Sequence, residues 1–132
     1  MKKVEVIEIT LREDERGWVA WPIEEKDLQE RLISHLHIPH LKPGAIRGNH
    51  SHLHGTEYAL VLSGPCKVVF QDNETGEYEE LTVQGDRPVL FRIGPNITHA
   101  FKNEGTVNIF LLCYEKREGK REEQDLHRKT IL

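Results

Sequence analysis

From residue 35 onward, short runs of strand-forming residues alternate with turn sequences. The turns are rich in Gly, Pro, Asn and Asp, which reverse the chain direction, and they read KPG, LHG, SGP, DNETG, QGD, GPN and NEG. The runs between them cover residues 35–41, 45–52, 56–62, 67–71, 78–83, 88–93, 99–103 and 107–115. This rhythm predicts an all-β barrel or sandwich and argues against alternating strands and helices.

The N-terminal part of the chain predicts two strands and the one short helix. The alternating sequence VEVIEITL, residues 4–11, indicates an edge strand. After a polar turn, WVAWPI indicates a short strand that Pro22 ends, because proline lacks the N–H that a sheet needs. Leu28 and Leu32 are four positions apart among charged residues, and they indicate a helix over residues 24–32.

At 132 residues, the chain is long enough for one domain with a single core. The predicted parts of this domain are N-terminal strands (4–22), a barrel core (about 34–115) and a charged tail (116–132). The tail carries charges of both signs, which favours a solvated extension. The alternative is that Leu126, Ile131 and Leu132 dock onto the barrel or onto a partner subunit.

Composition excludes several kinds of partner. The chain has 18 Lys and Arg against 22 Asp and Glu, so its net charge is −4 and its pI is about 6.1. Such a chain has no overall attraction for nucleic acid or for an anionic membrane. No segment approaches the roughly 18 apolar residues of a membrane span, and the first residues lack the apolar run of a signal peptide. We therefore expect a cytoplasmic protein.

The two cysteines can form at most one disulfide, and a cytoplasmic setting favours free thiols. Cys113 lies in the apolar sequence VNIFLLCYE, which indicates a buried structural thiol. Cys66 follows a turn, and nothing in the sequence gives it a function.

A candidate metal site lies in the stretch GAIRGNHSHLHGTEYALVLSG, residues 44–64. His50 and His52 are two positions apart, so a strand points both side chains to the same face. After a turn at Gly55, Glu57 can return to the same interior on a neighbouring strand. His99 opens a later strand, which antiparallel pairing can bring beside this group.

Imidazole and carboxylate ligands together suit Zn, Fe, Mn, Ni or Cu, whereas Ca and Mg prefer shells of oxygen. A site of this kind leaves positions for water or substrate and can act as a Lewis acid. His54 shares the register of the two strand histidines and could replace one of them. For His35, His37 and His40 we expect a solvated or lining role and not ligation.

The same stretch resembles the first cupin motif, G-x5-H-x-H-x4-E-x6-G. The matching residues are Gly44, His50, His52, Glu57 and Gly64. The second motif, G-x5-P-x-G-x2-H-x3-N, is matched at His99 and Asn103, with Gly94 in place of Pro and Asn96 in place of Gly. The resemblance covers about residues 38–114. It implies a small jelly-roll barrel that holds a metal on His50, His52, Glu57 and His99.

Two segments also resemble sugar-nucleotide cupins. RGNHSH, residues 47–52, is similar to the R-G-x-H segment of 3,5-epimerases and 3,4-ketoisomerases, and DERGW is similar to their D-x-R-G opening. The resemblance implies catalytic roles for His50, as a base beside the sugar carbonyl, and for Arg47, which would meet the diphosphate. Strand alternation places Arg47 on the opposite face from His50 unless Gly48 forms a bulge, and a surface arginine is the alternative.

This sequence departs from both sugar-nucleotide patterns. Leu53 stands where the ketoisomerases usually have Lys, and His52 stands where the epimerases have Gln. No tyrosine can be assigned as the epimerase's acid, because Tyr58 follows Glu57 directly and should point outward.

Three functions remain open. The first is a metal-dependent enzyme that moves a proton on a small polar substrate, such as a sugar or sugar nucleotide. The second is a metal-dependent dioxygenase, and the third is a non-catalytic module that binds metal or a small molecule. The edge strand at residues 4–11 and the tail are candidate contacts, so a homodimer is expected.

Overall fold

The computed structural model describes residues 1–117 and 126–132, and its ordered elements are almost all β-strands. The first sheet contains β1 (Val4–Ile7), β4 (Ile33–His37), β5 (His40–Leu41), β7 (Glu57–Val61), β10 (Val89–Ile93) and β12 (Ile109–Lys116). The second sheet contains β6 (Ile46–Ser51), β8 (Cys66–Asp72), β9 (Tyr78–Val83), β11 (Ile97–Asn103) and β13 (His127–Arg128). Two elements lie outside these two sheets. They are a hairpin of β2 (Thr10–Asp14) and β3 (Gly17–Trp21), and the helix α1 (Glu25–Gln29).

The strands follow a jelly-roll order. The first sheet runs β1-β10-β7-β12-β4, with β5 also beside β12, and the second runs β13-β6-β11-β8-β9. The chain therefore crosses between the sheets from β6 to β7 and from β7 to β8, and it crosses again at each step from β9 to β12. An up-and-down barrel would instead place strands beside their neighbours in sequence. The preference for a jelly roll over an up-and-down order is thereby supported.

The prediction of a closed barrel is wrong. Within residues 1–117 and 126–132, no strand ladder joins the two sheets, which instead face each other as separate layers. Two of the strands beside the gap, β5 and β13, are only two residues long and offer little backbone for pairing across it.

The core fills the space between the sheets. It is mainly aliphatic, as the composition predicts, with Phe70 and Phe91 fully buried and their ring centroids 5.5 Å apart. Burying a side chain of this size contributes about 1.5–3 kcal/mol relative to exposure. The core therefore holds together two layers that share no strand ladder among the described residues.

The outer face of the first sheet carries a second apolar cluster. Tyr58 stacks on Tyr114 with ring centroids 5.1 Å apart, and both side chains are buried. The Tyr114 hydroxyl donates to the carbonyl of Pro22 at 2.9 Å, and Lys116 pairs with the buried Asp27 of α1 at 3.0 Å. The helix segment is thus tied over this face, and Tyr58 points away from the interior as expected.

The N-terminal elements differ from the prediction in their bounds. The predicted strand over residues 4–11 is split, because β1 pairs with β10 whereas β2 pairs with β3. The strand before Pro22 is confirmed, and the helix is shorter than predicted. Arg31 adopts φ 56, outside the helical region, just beyond the end of α1. Within the described residues, no helix has the length and apolar character needed to cross a bilayer.

The end of the chain docks onto its own fold. Residues 118–125 lie outside the described part, but β13 pairs with β6, and Lys129 N–H donates to the carbonyl of Asn49 at 2.8 Å. For residues 126–132 the expectation of a solvated extension is therefore wrong. Ile131 and Leu132 are half-buried, as the docking alternative requires, whereas Leu126 remains exposed.

A single asparagine holds the terminal residues. The Oδ1 atom of Asn49 accepts hydrogen bonds from the N–H groups of Ile131 and Leu132 at 2.9 and 3.1 Å, and its Nδ2 donates to the Leu132 carbonyl at 3.2 Å. Asn49 has φ 55, a conformation that asparagine tolerates better than most residues.

Replacing this side chain should weaken the fold measurably. Glycine tolerates the same φ, so Asn49→Gly removes the three hydrogen bonds without backbone strain. We expect it to lower the free energy of unfolding in urea by about 1–3 kcal/mol. Asn49→Asp keeps the accepting oxygen but places a second oxygen where Nδ2 donates to the Leu132 oxygen at 3.2 Å, so it should also lose stability. Equal stability of Asn49→Gly and the unchanged protein would contradict the docking of the tail.

Candidate metal centre

Four predicted ligands meet between the two sheets. His50 on β6 and His99 on β11 are direct cross-strand partners in the second sheet. Glu57 begins β7 in the facing sheet, and His52 lies just beyond the end of β6. One donor atom from each residue lies within 4.8 Å of all the others. The fold thus brings together the residues that the sequence singled out.

The three imidazoles converge on one carboxylate oxygen. The distances to Glu57 Oε2 are 3.0 Å from His52 Nε2, 3.2 Å from His99 Nε2 and 4.0 Å from His50 Nε2. Ligands that share a transition-metal ion at about 2.1 Å lie roughly 3–4 Å from one another. The spacing and the chemistry of the donor set both fit such an ion.

The hydrogen bonding of His99 is a second, independent indication of a metal site. Its side chain is buried, and its Nδ1 lies 3.2 Å from the Ile97 carbonyl. A carbonyl only accepts, so Nδ1 carries the hydrogen and Nε2 carries a lone pair directed into the site. Among the described residues, nothing donates a hydrogen bond to that Nε2. A buried polar atom left this way is costly, and a bound cation would satisfy it.

The protonation states also suit metal binding. Burial lowers the pKa of His50 to about 4, and the nearby His99 adds to the effect. Burial by itself would raise the pKa of Glu57, but the neighbouring His99 imidazole and the hydrogen bond with His52 outweigh it and hold that pKa well below its usual range. Near neutral pH the site therefore offers a neutral imidazole and an ionised carboxylate, the forms that bind metal.

A β-bulge places His50 at the site. His99 pairs with His50, whereas the next residue, Ala100, pairs with Gly48, so Asn49 is an extra residue in β6. Gly48 has φ 99, and a Cβ there would lie 2.7 Å from the His99 carbonyl oxygen. The close approach and the positive φ both require glycine at this position.

The bulge also decides the face of Arg47. Arg47 pairs with Phe101, two residues after His99, so Arg47 and His50 share the interior face of the sheet. This is the outcome that a bulge at Gly48 was expected to produce. Arg47 is exposed at the rim, where its Nε donates to the His40 carbonyl at 2.8 Å.

Three further side chains face the site from the first sheet, and of these the sequence gave only His37 a solvated or lining role. Cys113 Sγ lies within 4.8 Å of the Glu57 carboxylate, and burial together with that carboxylate raises the pKa of the thiol. Glu115 Oε1 lies 3.8 Å from His52 Nδ1. A ring nitrogen of His37 lies within 4.8 Å of both the Glu57 carboxylate and Cys113 Sγ. Alternation along β12 gives Cys113 and Glu115 a common face, but it does not identify what they meet.

The remaining histidines lie outside the four-residue group. His54 is exposed. The His40 ring stacks on Phe110 at 4.8 Å, and His35 Nε2 lies 3.5 Å from Glu115 Oε2 at the surface. Both cysteines are free and buried, and burial raises the pKa of Cys66 to about 12.

Comparison with known proteins identifies relatives in sugar metabolism. The model of the polysaccharide biosynthesis C-terminal domain family matches residues 12–127. A UDP-2-acetamido-2,6-beta-L-arabino-hexul-4-ose reductase from Pseudomonas aeruginosa is 29% identical over 85 residues, which are 64% of this chain and 23% of the reductase. The chain therefore spans about a quarter of the length of this curated relative.

Solved structures show the same fold. A mutant 3,4-ketoisomerase from Thermoanaerobacterium thermosaccharolyticum, in complex with TDP-4-keto-6-deoxyglucose, has a TM-score of 0.72 and 21% identity, covering 98% of this chain and 89% of its own. The capsular polysaccharide assembling protein CapF from Staphylococcus aureus has a TM-score of 0.64 and 22% identity, covering 95% of this chain and 33% of its own. The predicted cupin fold is confirmed.

The bulge predicts that only glycine is tolerated at position 48. In Gly48→Ala, the new methyl group meets the His99 carbonyl, and the positive φ adds strain. Gly76→Ala is the matched control, because Gly76 has φ 78 with no atom within 4 Å of the added Cβ. We expect the control to lose about 1 kcal/mol of unfolding free energy in urea, and Gly48→Ala to lose at least about 1 kcal/mol more. Equal losses would contradict the close approach.

Proposed function

The chain belongs to the polysaccharide biosynthesis C-terminal domain family, and from this premise we propose that it is a metal-dependent enzyme acting on a sugar nucleotide. The proposed reaction moves a proton at a carbon beside a ketone, as in an isomerase or epimerase. The observation that carries the proposal is the convergence of three imidazole nitrogens on one buried carboxylate oxygen between the sheets of a jelly roll.

The names of similar proteins support this substrate class. The curated relative is named for a UDP-linked hexul-4-ose, and the ketoisomerase structure contains a TDP-linked 4-keto sugar. A C–H bond next to a ketone is acidic enough for a protein base to break it. Arg47, exposed at the rim on the same face as His50, is the proposed contact for the diphosphate, because guanidinium binds phosphate through two parallel hydrogen bonds.

The proposed metal is a divalent transition ion, Zn, Fe, Mn, Ni or Cu. His50, His52, Glu57 and His99 would hold it. When bound, such an ion polarises a carbonyl and stabilises the negative charge that develops on its oxygen.

His50 has two proposed roles that compete. The resemblance to sugar-nucleotide cupins makes it a base, whereas the geometry makes it a ligand. A nitrogen lone pair that binds a metal is not available to accept a proton. We assign His50 to the ligand set, because its Nε2 faces the same Glu57 oxygen as the other two imidazoles.

We also propose a homodimer. Of the described strands, β1 is an outer strand of the first sheet, and its Val6 is exposed. An outer strand with exposed apolar side chains gains stability by pairing with a second copy.

Metal content tests the ligand set. His99→Ala removes the buried imidazole and should reduce bound metal in the purified protein well below one ion per chain, while the circular dichroism of the β fold persists. The same result is expected for His50→Ala. His54→Ala, at an exposed histidine outside the group, should retain the metal. Full retention of metal by both His50→Ala and His99→Ala would contradict the site.

Two assays separate the proposed function from its alternatives. The metal-loaded protein should exchange a carbon-bound proton of TDP-4-keto-6-deoxyglucose for deuterium in D₂O, as measured by mass spectrometry. Oxygen consumption by the iron-loaded protein without such exchange would instead support a dioxygenase. The absence of both activities would favour a non-catalytic binding module.

A further inference from the structure

If His50 binds the metal, the proposed reaction still needs a base. That base must face the interior, be reachable by a substrate and keep a lone pair available. His37, for which the sequence predicts only a solvated or lining role, meets these three requirements.

His37 points into the site from the opposite sheet. In the pairing of β4 with β12, His37 is the direct partner of Cys113, whose side chain is buried in the core. Direct cross-strand partners share a face, so the His37 ring projects inward. A ring nitrogen lies within 4.8 Å of both the Glu57 carboxylate and Cys113 Sγ. His37 is nevertheless exposed, because β4 is an outer strand, so a substrate approaching from solvent could reach it.

A backbone carbonyl sets the tautomer of His37. Its Nδ1 lies 2.6 Å from the carbonyl oxygen of His35, which can only accept a hydrogen bond. Nδ1 therefore carries the hydrogen, and Nε2 of the neutral ring carries the lone pair. His35 adopts φ 52, a strained conformation for a non-glycine residue, and this places its carbonyl beside the ring.

His37 could instead belong to a second metal set with Glu57 and Cys113. The number of donors argues against this arrangement. This set offers three donors and shares Glu57 with the four-residue group, which offers four. Among the described residues, the set with three imidazoles and one carboxylate is therefore the better metal site, and His37 remains outside it.

We propose that His37 is the catalytic base of this site, an inference that rests on the proposed function. His37 Nε2 accepts the proton from the carbon beside the substrate ketone as that C–H bond breaks. The electron pair forms the carbon–carbon double bond of an enolate, and the negative charge moves to the carbonyl oxygen. The imidazolium then returns the proton to the former carbonyl carbon, while the hydroxyl group on the first carbon passes its proton to the enolate oxygen. The ketone thereby moves by one carbon, and the step needs no external oxidant or reductant. Metal binding and proton transfer would thus be carried out by different histidines.

The test replaces His37 by glutamine. The side-chain amide can still donate to the His35 carbonyl, but it cannot accept a proton from carbon. With TDP-4-keto-6-deoxyglucose in D₂O, we expect the rate of deuterium incorporation to fall about 10²- to 10⁴-fold. Metal content and the KM for this substrate should stay within about twofold of the unchanged protein, because no ligand is altered.

His40→Gln is the matched control. It makes the same change a few residues downstream, at a ring that stacks on Phe110, and it should keep the full exchange rate. Full exchange by His37→Gln would overturn the assignment of His37, and so would loss of metal together with exchange, since His37 would then support the site structurally. Metal-loaded unchanged protein that shows no exchange would overturn the proposed function itself, and the assignment of His37 with it.

Discussion

The packing of the two sheets around the four-residue group depends on one buried carboxylate, that of Glu57. Glu57 is 5% exposed, and an ionised carboxylate in such a position is unfavourable unless several polar groups face it. His52 and His99 lie 3.0 and 3.2 Å from one of its oxygens, and Cys113 Sγ lies within 4.8 Å of the carboxylate. These partners come from both sheets. The requirement to surround Glu57 therefore couples the packing of the two layers to the formation of the site.

A one-residue bulge in β6 links the site to its surroundings. Because Asn49 is extra in the ladder, His50 and Arg47 both face the interior, where strict alternation would separate them. The same residue accepts the backbone N–H groups of Ile131 and Leu132. A local irregularity thus determines the approach to the site on one side of β6 and the position of the chain end on the other. Gly48 makes it possible, since a side chain there would collide with the adjacent strand.

The two sheets contribute different chemistry to the interior. The second sheet supplies His50 and His99 at neighbouring positions. The first sheet supplies Glu57 together with an outer ring of groups, His37, Cys113 and Glu115, that are not needed to complete the set of four donors. Glu115 Oε1 lies 3.8 Å from His52 Nδ1, the nitrogen opposite the one near Glu57, so its negative charge faces that ring from the other side. The proposed reaction would use both kinds of group, one to stabilise charge and one to move a proton.

The sequence alone was enough to predict the short strands, the strand end at Pro22 and the grouping of His50, His52, Glu57 and His99. Turn residues and period-two alternation are local properties, and the family motifs preserve their spacing. The tertiary structure decided that the sheets stay separate, that residues 126–132 dock on β6, and that His37 faces Glu57. These outcomes depend on which distant strands pair and in which register. Such pairings are decided by packing across the whole core, so a local sequence pattern does not predict them.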